Sequence, residues 1–196
     1  MPATMMHLLA GNRFDPAASD AFYLGCILPD CVDADRELKD RLHFRTFSKE
    51  ERLPALLSFV EKTLDLKKDF DRGVFFHFFL DYLWDFGPQQ KHRDSYRGEK
   101  WFLDYRKEIS DAGSYIARTE PWAKPLWERL HDPAPELWQS GLVLPETCIR
   151  EFLDFNFHWH TEVKIGPSAF FPPEAVEEFT LDAVRRFGPL LAEKMG

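Results

Sequence analysis

His77 and Asp81 stand four residues apart in the run Gly73-Val-Phe-Phe-His-Phe-Phe-Leu-Asp-Tyr-Leu-Trp-Asp85, which is otherwise apolar up to its last residue. On a helix, positions four apart share a face, so an imidazole nitrogen and a carboxylate oxygen can point at one ion. Burying a carboxylate among aromatic side chains is costly without a cation or several hydrogen bonds, so Asp81 requires a partner. A structural His–Asp hydrogen bond suits the same spacing, and only further donors favour ligation over it.

Such donors occur upstream. His7 lies in a mostly apolar stretch, Asp30 follows Tyr23-Leu-Gly-Cys-Ile-Leu-Pro29, and His43 closes a polar segment. Singly, these read equally well as a core histidine, a turn cap and a loop residue. Together with His77 and Asp81 they form a mixed nitrogen and oxygen set that suits zinc first, and also iron, manganese or nickel. Asp85, one turn beyond Asp81, is positioned to orient a ligand or to take a proton from water, and Trp84 to wall the site. Cys26 and Cys31 could imitate a thiolate site, but no second cysteine pair completes it.

The order of these residues resembles the zinc-dependent phospholipase C group, which shares an all-helical fold with the S1 and P1-type nucleases. The likeness covers about the first ninety residues: an early helical His7, Asp30 after Leu-Gly-x-x-x-Pro, a later His43, and His77-x-x-x-Asp81. It implies that Asp30, His43, His77 and Asp81 hold one metal, that Asp81 bridges toward a neighbour, and that His7 serves a further ion. It also implies hydrolysis of a phosphoester, in a small molecule or a lipid headgroup. For a second metal site the resemblance points to His158 and Glu162, with His92 as a third partner, although His158 lies farther downstream than that pattern places it. In exported members the processed amino-terminal residue is itself a ligand. Two alternatives stand beside this reading: an HD-domain-like phosphohydrolase, for which His131-Asp132 is the one adjacent doublet, and a non-catalytic metal-binding or sensing helical protein.

The elements that must position these residues read as helices, giving an all-α, compact multi-helix single domain over residues 1–196. Expected helices run from Pro2 to Ala10, from an Asp15-Pro16 cap toward Leu28, and from a Ser48/Glu51 capping box through Leu53, Leu56, Leu57, Val60 and Leu64. Cys31 to His43 reads as a loop. The central helix starts at a cap on Asp69 or Asp71 and stops at Gly87-Pro88. Later helices are expected near Lys100 to Ile116, Lys124 to Leu130, Pro145 to Lys164 and Pro173 to Phe187.

Composition narrows the class further. A net charge of −8 argues against a nucleic-acid coat, which would need many Lys and Arg on phosphates. Three cysteines do not make a secreted disulfide framework, and no secretory leader is recognisable, so a cytoplasmic chain is expected. Val74 to Leu83 is too short to span a bilayer. No Walker loop, Gly-x-Ser-x-Gly elbow or dinucleotide fingerprint occurs.

Overall fold

A computed structural model describes residues 2–32 and 35–196. The elements are α1 (Thr4–Phe14), α2 (Asp20–Ile27), α3 (Arg36–Leu42), α4 (Lys49–Thr63), α5 (Asp69–Asp85), α6 (Pro88–Ser95), α7 (Trp101–Thr119), α8 (Ala123–Leu130), α9 (Glu146–Glu162) and α10 (Pro173–Met195). Short 3-10 segments cover Leu28–Val32 and Pro135–Trp138. Among the described residues there is no strand, and no helix is long and apolar enough to cross a membrane.

α5 is the axis of the fold because its apolar residues surround it: Phe75, Phe76, Phe78, Phe79, Leu80 and Trp84 are all buried. α1, α2, α4 and α10 pack around it, and their buried residues join one continuous core. The closest crossing is that of α2 with α5, where Gly25 meets Gly73. A Cβ on Gly25 would lie 2.9 Å from the Gly73 Cα and would collide with the Phe70 carbonyl; one on Gly73 would collide with the Phe22 carbonyl. Only glycine permits this approach at both positions.

Several boundaries differ from the sequence reading, each for a local reason. α1 runs through Gly11 to Phe14, since a glycine facing Tyr23 and Cys26 is held by packing and does not break the helix. Asp15-Pro16 does not open α2. The Asp15 carboxylate instead accepts from the Ala17 amide in the connecting turn, and Ser19 caps α2 by accepting from the Phe22 amide. The expected loop from Cys31 to His43 contains α3, capped by Asp35, whose carboxylate accepts from the Leu38 amide. Neither Asp69 nor Asp71 caps α5, which Lys68 precedes without a side-chain cap; the Asp71 carboxylate accepts from the Asp65 amide and the Ser140 hydroxyl. Gly87-Pro88 ends α5 and also starts α6, with Pro88 in the first turn, where its missing N–H is not needed. α10 continues through Pro189 to Met195. The Ser48/Glu51 capping box is present with both of its hydrogen bonds.

Candidate metal centre

Four elements deliver the five predicted ligands to one point. α5 carries His77 and Asp81, α1 carries His7, the 3-10 segment after α2 carries Asp30, and His43 closes α3. None of the five is more than 5 % exposed. Two overlapping triplets have ligand atoms close enough to share an ion: His7, His77, Asp81 and Asp30, His43, His77.

Hydrogen bonds fix which ring nitrogens face inward. His77 donates from Nδ1 to the Cys26 carbonyl at 2.8 Å, and His43 donates from Nδ1 to the Lys39 carbonyl at 2.9 Å. Carbonyls only accept, so in the neutral rings both Nε2 atoms carry lone pairs. These two nitrogens lie 3.1 Å apart. Burial, and after it the neighbouring His7, lowers the His77 pKa to about 3, so the His77 Nε2 keeps its lone pair.

The remaining distances have the same character. The His43 Nε2 lies 3.2 Å from Asp30 Oδ1 and 3.6 Å from Asp81 Oδ2, and the His7 Nε2 lies 3.3 Å from Asp81 Oδ1. With metal–nitrogen distances of roughly 2.0–2.1 Å, ligand atoms around a tetrahedral ion are about 3.3 Å from one another. Asp30 Oδ1, both Asp81 oxygens and both His7 nitrogens are buried without a hydrogen-bond partner. They approach neighbours closely enough to pair as ions but lack hydrogen-bond geometry, as atoms converging on a shared cation would. His77 belongs to both triplets but offers one inward nitrogen, so the triplets cannot each hold an ion through it.

The protonation state suits a cation. Burial pushes the Asp30 carboxyl up, but Lys39 and the contact with His43 outweigh it and hold the group well below the usual carboxylate range. Asp81 is likewise held low, against its burial, by its contact with His7 and by His77. Ionised carboxylates and an unprotonated imidazole are the forms that ligate metals.

Three basic residues that the sequence reading passed over complete the surroundings. Lys39 Nζ lies 3.0 Å from Asp30 Oδ1, and Arg45 reaches Asp81, Asp85 and Asp40 at 3.4–3.7 Å. Arg52 is buried over the Phe86 ring and donates to Asp85 at 2.8 Å. Burial raises the Asp85 carboxyl, yet Arg52 and Arg45 help to bring it below its ordinary value. Trp84 does not wall the site: its indole N–H donates to the Tyr105 hydroxyl, and its ring packs against Phe171 and Phe179. Two clefts reach the cluster from outside, one of about 440 Å³ at Asp30 and one of about 500 Å³ at Lys39, Arg45 and Asp85.

The structure does not assemble His158, Glu162 and His92. His158 groups instead with Asp154 and His131 on the surface, and Glu162 is outside that group. The His158 Nδ1 donates to the Asp154 carbonyl, and the His131 Nε2 lies 3.1 Å from Asp154 Oδ1. His92 is buried elsewhere, among Tyr105, Phe170 and Phe171, and its Nδ1 accepts from the Trp101 indole. The His131-Asp132 doublet diverges, since Asp132 pairs with Arg150. The Cys26 and Cys31 thiols are raised by burial, Cys31 to about 12, and neither joins a ligand group among the described residues. The amino-terminal residue lies outside the described residues.

Acid should weaken the metal-free fold. His160, buried and stacked on Trp127, has its pKa lowered by burial to about 3, as His77 does. An unfolded histidine titrates near 6.5, so between about pH 6.5 and about pH 3 the unfolded chain binds more protons and stability rises with pH. Each of these two groups should therefore cost about 2 kcal/mol between about pH 7 and about pH 5. Urea melts of chelated protein at those two values check this, and His160→Gln should flatten the dependence by about one group's share. An unchanged slope would remove His160 from the account.

The chain matches no family model, no curated protein and no solved structure. What the centre can do therefore follows from its own donor set.

Proposed function

We propose that the protein is a metal-dependent hydrolase of phosphoesters, of the kind that its ligand order resembles in the zinc-dependent phospholipase C group. The observation that carries this reading is that the Nε2 atoms of His43 and His77 stand 3.1 Å apart and converge with Asp30 Oδ1 and both Asp81 oxygens, which make no hydrogen bond.

In this reading Asp30, His43, His77 and Asp81 would hold the ion, with zinc the first choice, and His7, 3.3 Å from Asp81 Oδ1, would serve a further ion. A divalent cation bound there would supply acidity to a water molecule and positive charge for the phosphoryl oxygens. The chain's own residues do the rest. The backbone carbonyls of Cys26 and Lys39 keep His77 and His43 in the ligating tautomer. Lys39 and Arg45 hold positive charge beside the carboxylates, where an ester phosphate would approach. Asp85, lining the neighbouring cleft, is the carboxylate that would take a proton from water there. The substrate is a phosphoester of a small molecule or of a lipid headgroup.

Plasma mass spectrometry of purified protein, followed by p-nitrophenyl phosphate hydrolysis before and after chelation, tests the reading. Near-stoichiometric metal, with activity lost on chelation and restored by zinc or a rival divalent ion, is expected. Metal without hydrolysis across a phosphoester screen would leave a metal-binding protein, and no metal after reconstitution would sink the proposal.

A further inference from the structure

The chain carries a net charge of −8, yet one cleft reverses that sign. The cleft of about 500 Å³ beside the metal centre is lined by Arg36, Lys39, Arg45, Arg93 and Arg106 against two carboxylates, Asp40 and Asp85. The five cations come from α3, the turn after His43, α6 and α7, so the fold gathers them and no single charged stretch of sequence does.

They divide into an inner and an outer set. Lys39 and Arg45 are turned toward Asp30 and Asp81, as described above. Arg36 is 95 % exposed and only 3.8 Å from Asp40 at its closest. Arg93 and Arg106 are exposed, and neither has a carboxylate within ion-pair distance among the described residues. Arg93 lies over the Trp101 ring at 5.4 Å, and that ring stacks on Tyr105 at 5.3 Å. A guanidinium placed on an aromatic face keeps its planar fork available for bidentate contact with phosphate. Arg93 and Arg106 face the same cleft without a carboxylate between them, and a bound anion relieves their mutual repulsion.

We infer that this cleft is an anion subsite, and that the protein selects phosphoesters carrying a second anionic group, a phosphate or a carboxylate, over esters with a cationic headgroup. The inference names the substrate class of the proposed hydrolase and rests on that reading for the ester, though not for the anion. The scissile phosphate reaches the inner set and the metal ligands, while the second anion is held by Arg93, Arg106 and Arg36. A quaternary ammonium headgroup would meet five positive charges against two carboxylates at the same place. A cation held by Asp30 and Asp81 would offset the charge of two carboxylates that face Lys39 and Arg45, so metal and anion should strengthen each other's binding.

The test is calorimetric titration of EDTA-stripped protein with inorganic pyrophosphate, comparing the wild type with an Arg93→Ala, Arg106→Ala variant. Both side chains are exposed, so the fold does not depend on them. Saturable binding that weakens with salt, and that the variant weakens by about tenfold or more, is expected. No saturation in the wild type, or equal affinity in the variant, would overturn the inference. Metal content measured on the same preparations separates the two readings. Arginine-dependent pyrophosphate binding in a chain that takes up no metal keeps the subsite and removes the hydrolase. Metal-dependent hydrolysis with pyrophosphate affinity untouched by the variant does the reverse. Vesicles of phosphatidylcholine with and without phosphatidic acid then assign the source: capture only by the acidic vesicles, displaced by pyrophosphate, places the second anion on a lipid, and no capture places it on a soluble substrate.

Discussion

On the proposed function, Asp81→Asn is expected to empty the candidate centre of metal and abolish phosphoester hydrolysis while leaving the fold standing. Asn keeps the volume and one carbonyl oxygen but removes the charge that a divalent ligand set needs. Both Asp81 oxygens are buried without hydrogen bonds, one 3.3 Å from His7 and the other 3.6 Å from His43, so the carboxylate serves two sides of the cluster at once. Metal affinity should fall by more than the roughly 10–100-fold that follows loss of a supporting contact. Stability should barely change in the metal-free protein, because Arg45 retains Asp40 at 3.4 Å and Asp85 at 3.7 Å and is not left as a lone buried charge. Breaking a structural buried pair would instead cost about 3–5 kcal/mol. Metal content, hydrolysis rate and urea melts of the chelated variant decide the matter. Retained metal and activity, or a loss of stability on that scale, would return Asp81 to a structural role.

The candidate ligand row was legible because its chemistry and its geometry coincide. Two polar residues four apart on a helix apolar all round share a face, and His77 and Asp81 both approach the His43 Nε2, at 3.1 and 3.6 Å. The convergence of His7, Asp30 and His43 was readable only as an order along the chain, and the structure supplies the distances. The supporting cations were not legible. Lys39, Arg45 and Arg52 sit in polar stretches that look like solvated faces, and α3 hides in one of them because its only apolar residues, Leu38 and Leu42, are half-buried. The second histidine group shows a different limit. Asp154 and Glu162 both stand four residues from His158, one on each side, and spacing cannot choose between them. His131, brought up at the end of α8, makes the choice for Asp154.

Gly73→Ala is expected to cost about 3 kcal/mol or more, at or beyond the upper end of ordinary overpacking, and to damage the metal centre with it. The added methyl would meet the Phe22 carbonyl and the Gly25 Cα, which belong to the backbone of α2 and cannot rotate aside as a side chain can. The two helices would have to separate along the contact that sets the ligand geometry. Gly25 is adjacent to Cys26, whose carbonyl accepts from the His77 Nδ1 at 2.8 Å, and His77 lies one turn beyond Gly73 on α5. A wider crossing breaks that hydrogen bond, frees the His77 tautomer and removes the orientation that metal affinity depends on. Gly11→Ala is the matched control: it lies on α1 against the same helix, and its Cβ would meet Cys26 and Tyr23 at an ordinary 3.4 Å. That change should be neutral or stabilise by roughly 0.5–1 kcal/mol, since alanine favours a helix interior over glycine. Thermal melts and metal content of the two variants measure the contrast. If Gly73→Ala melts with Gly11→Ala and binds metal as tightly, the α2–α5 crossing does not position His77.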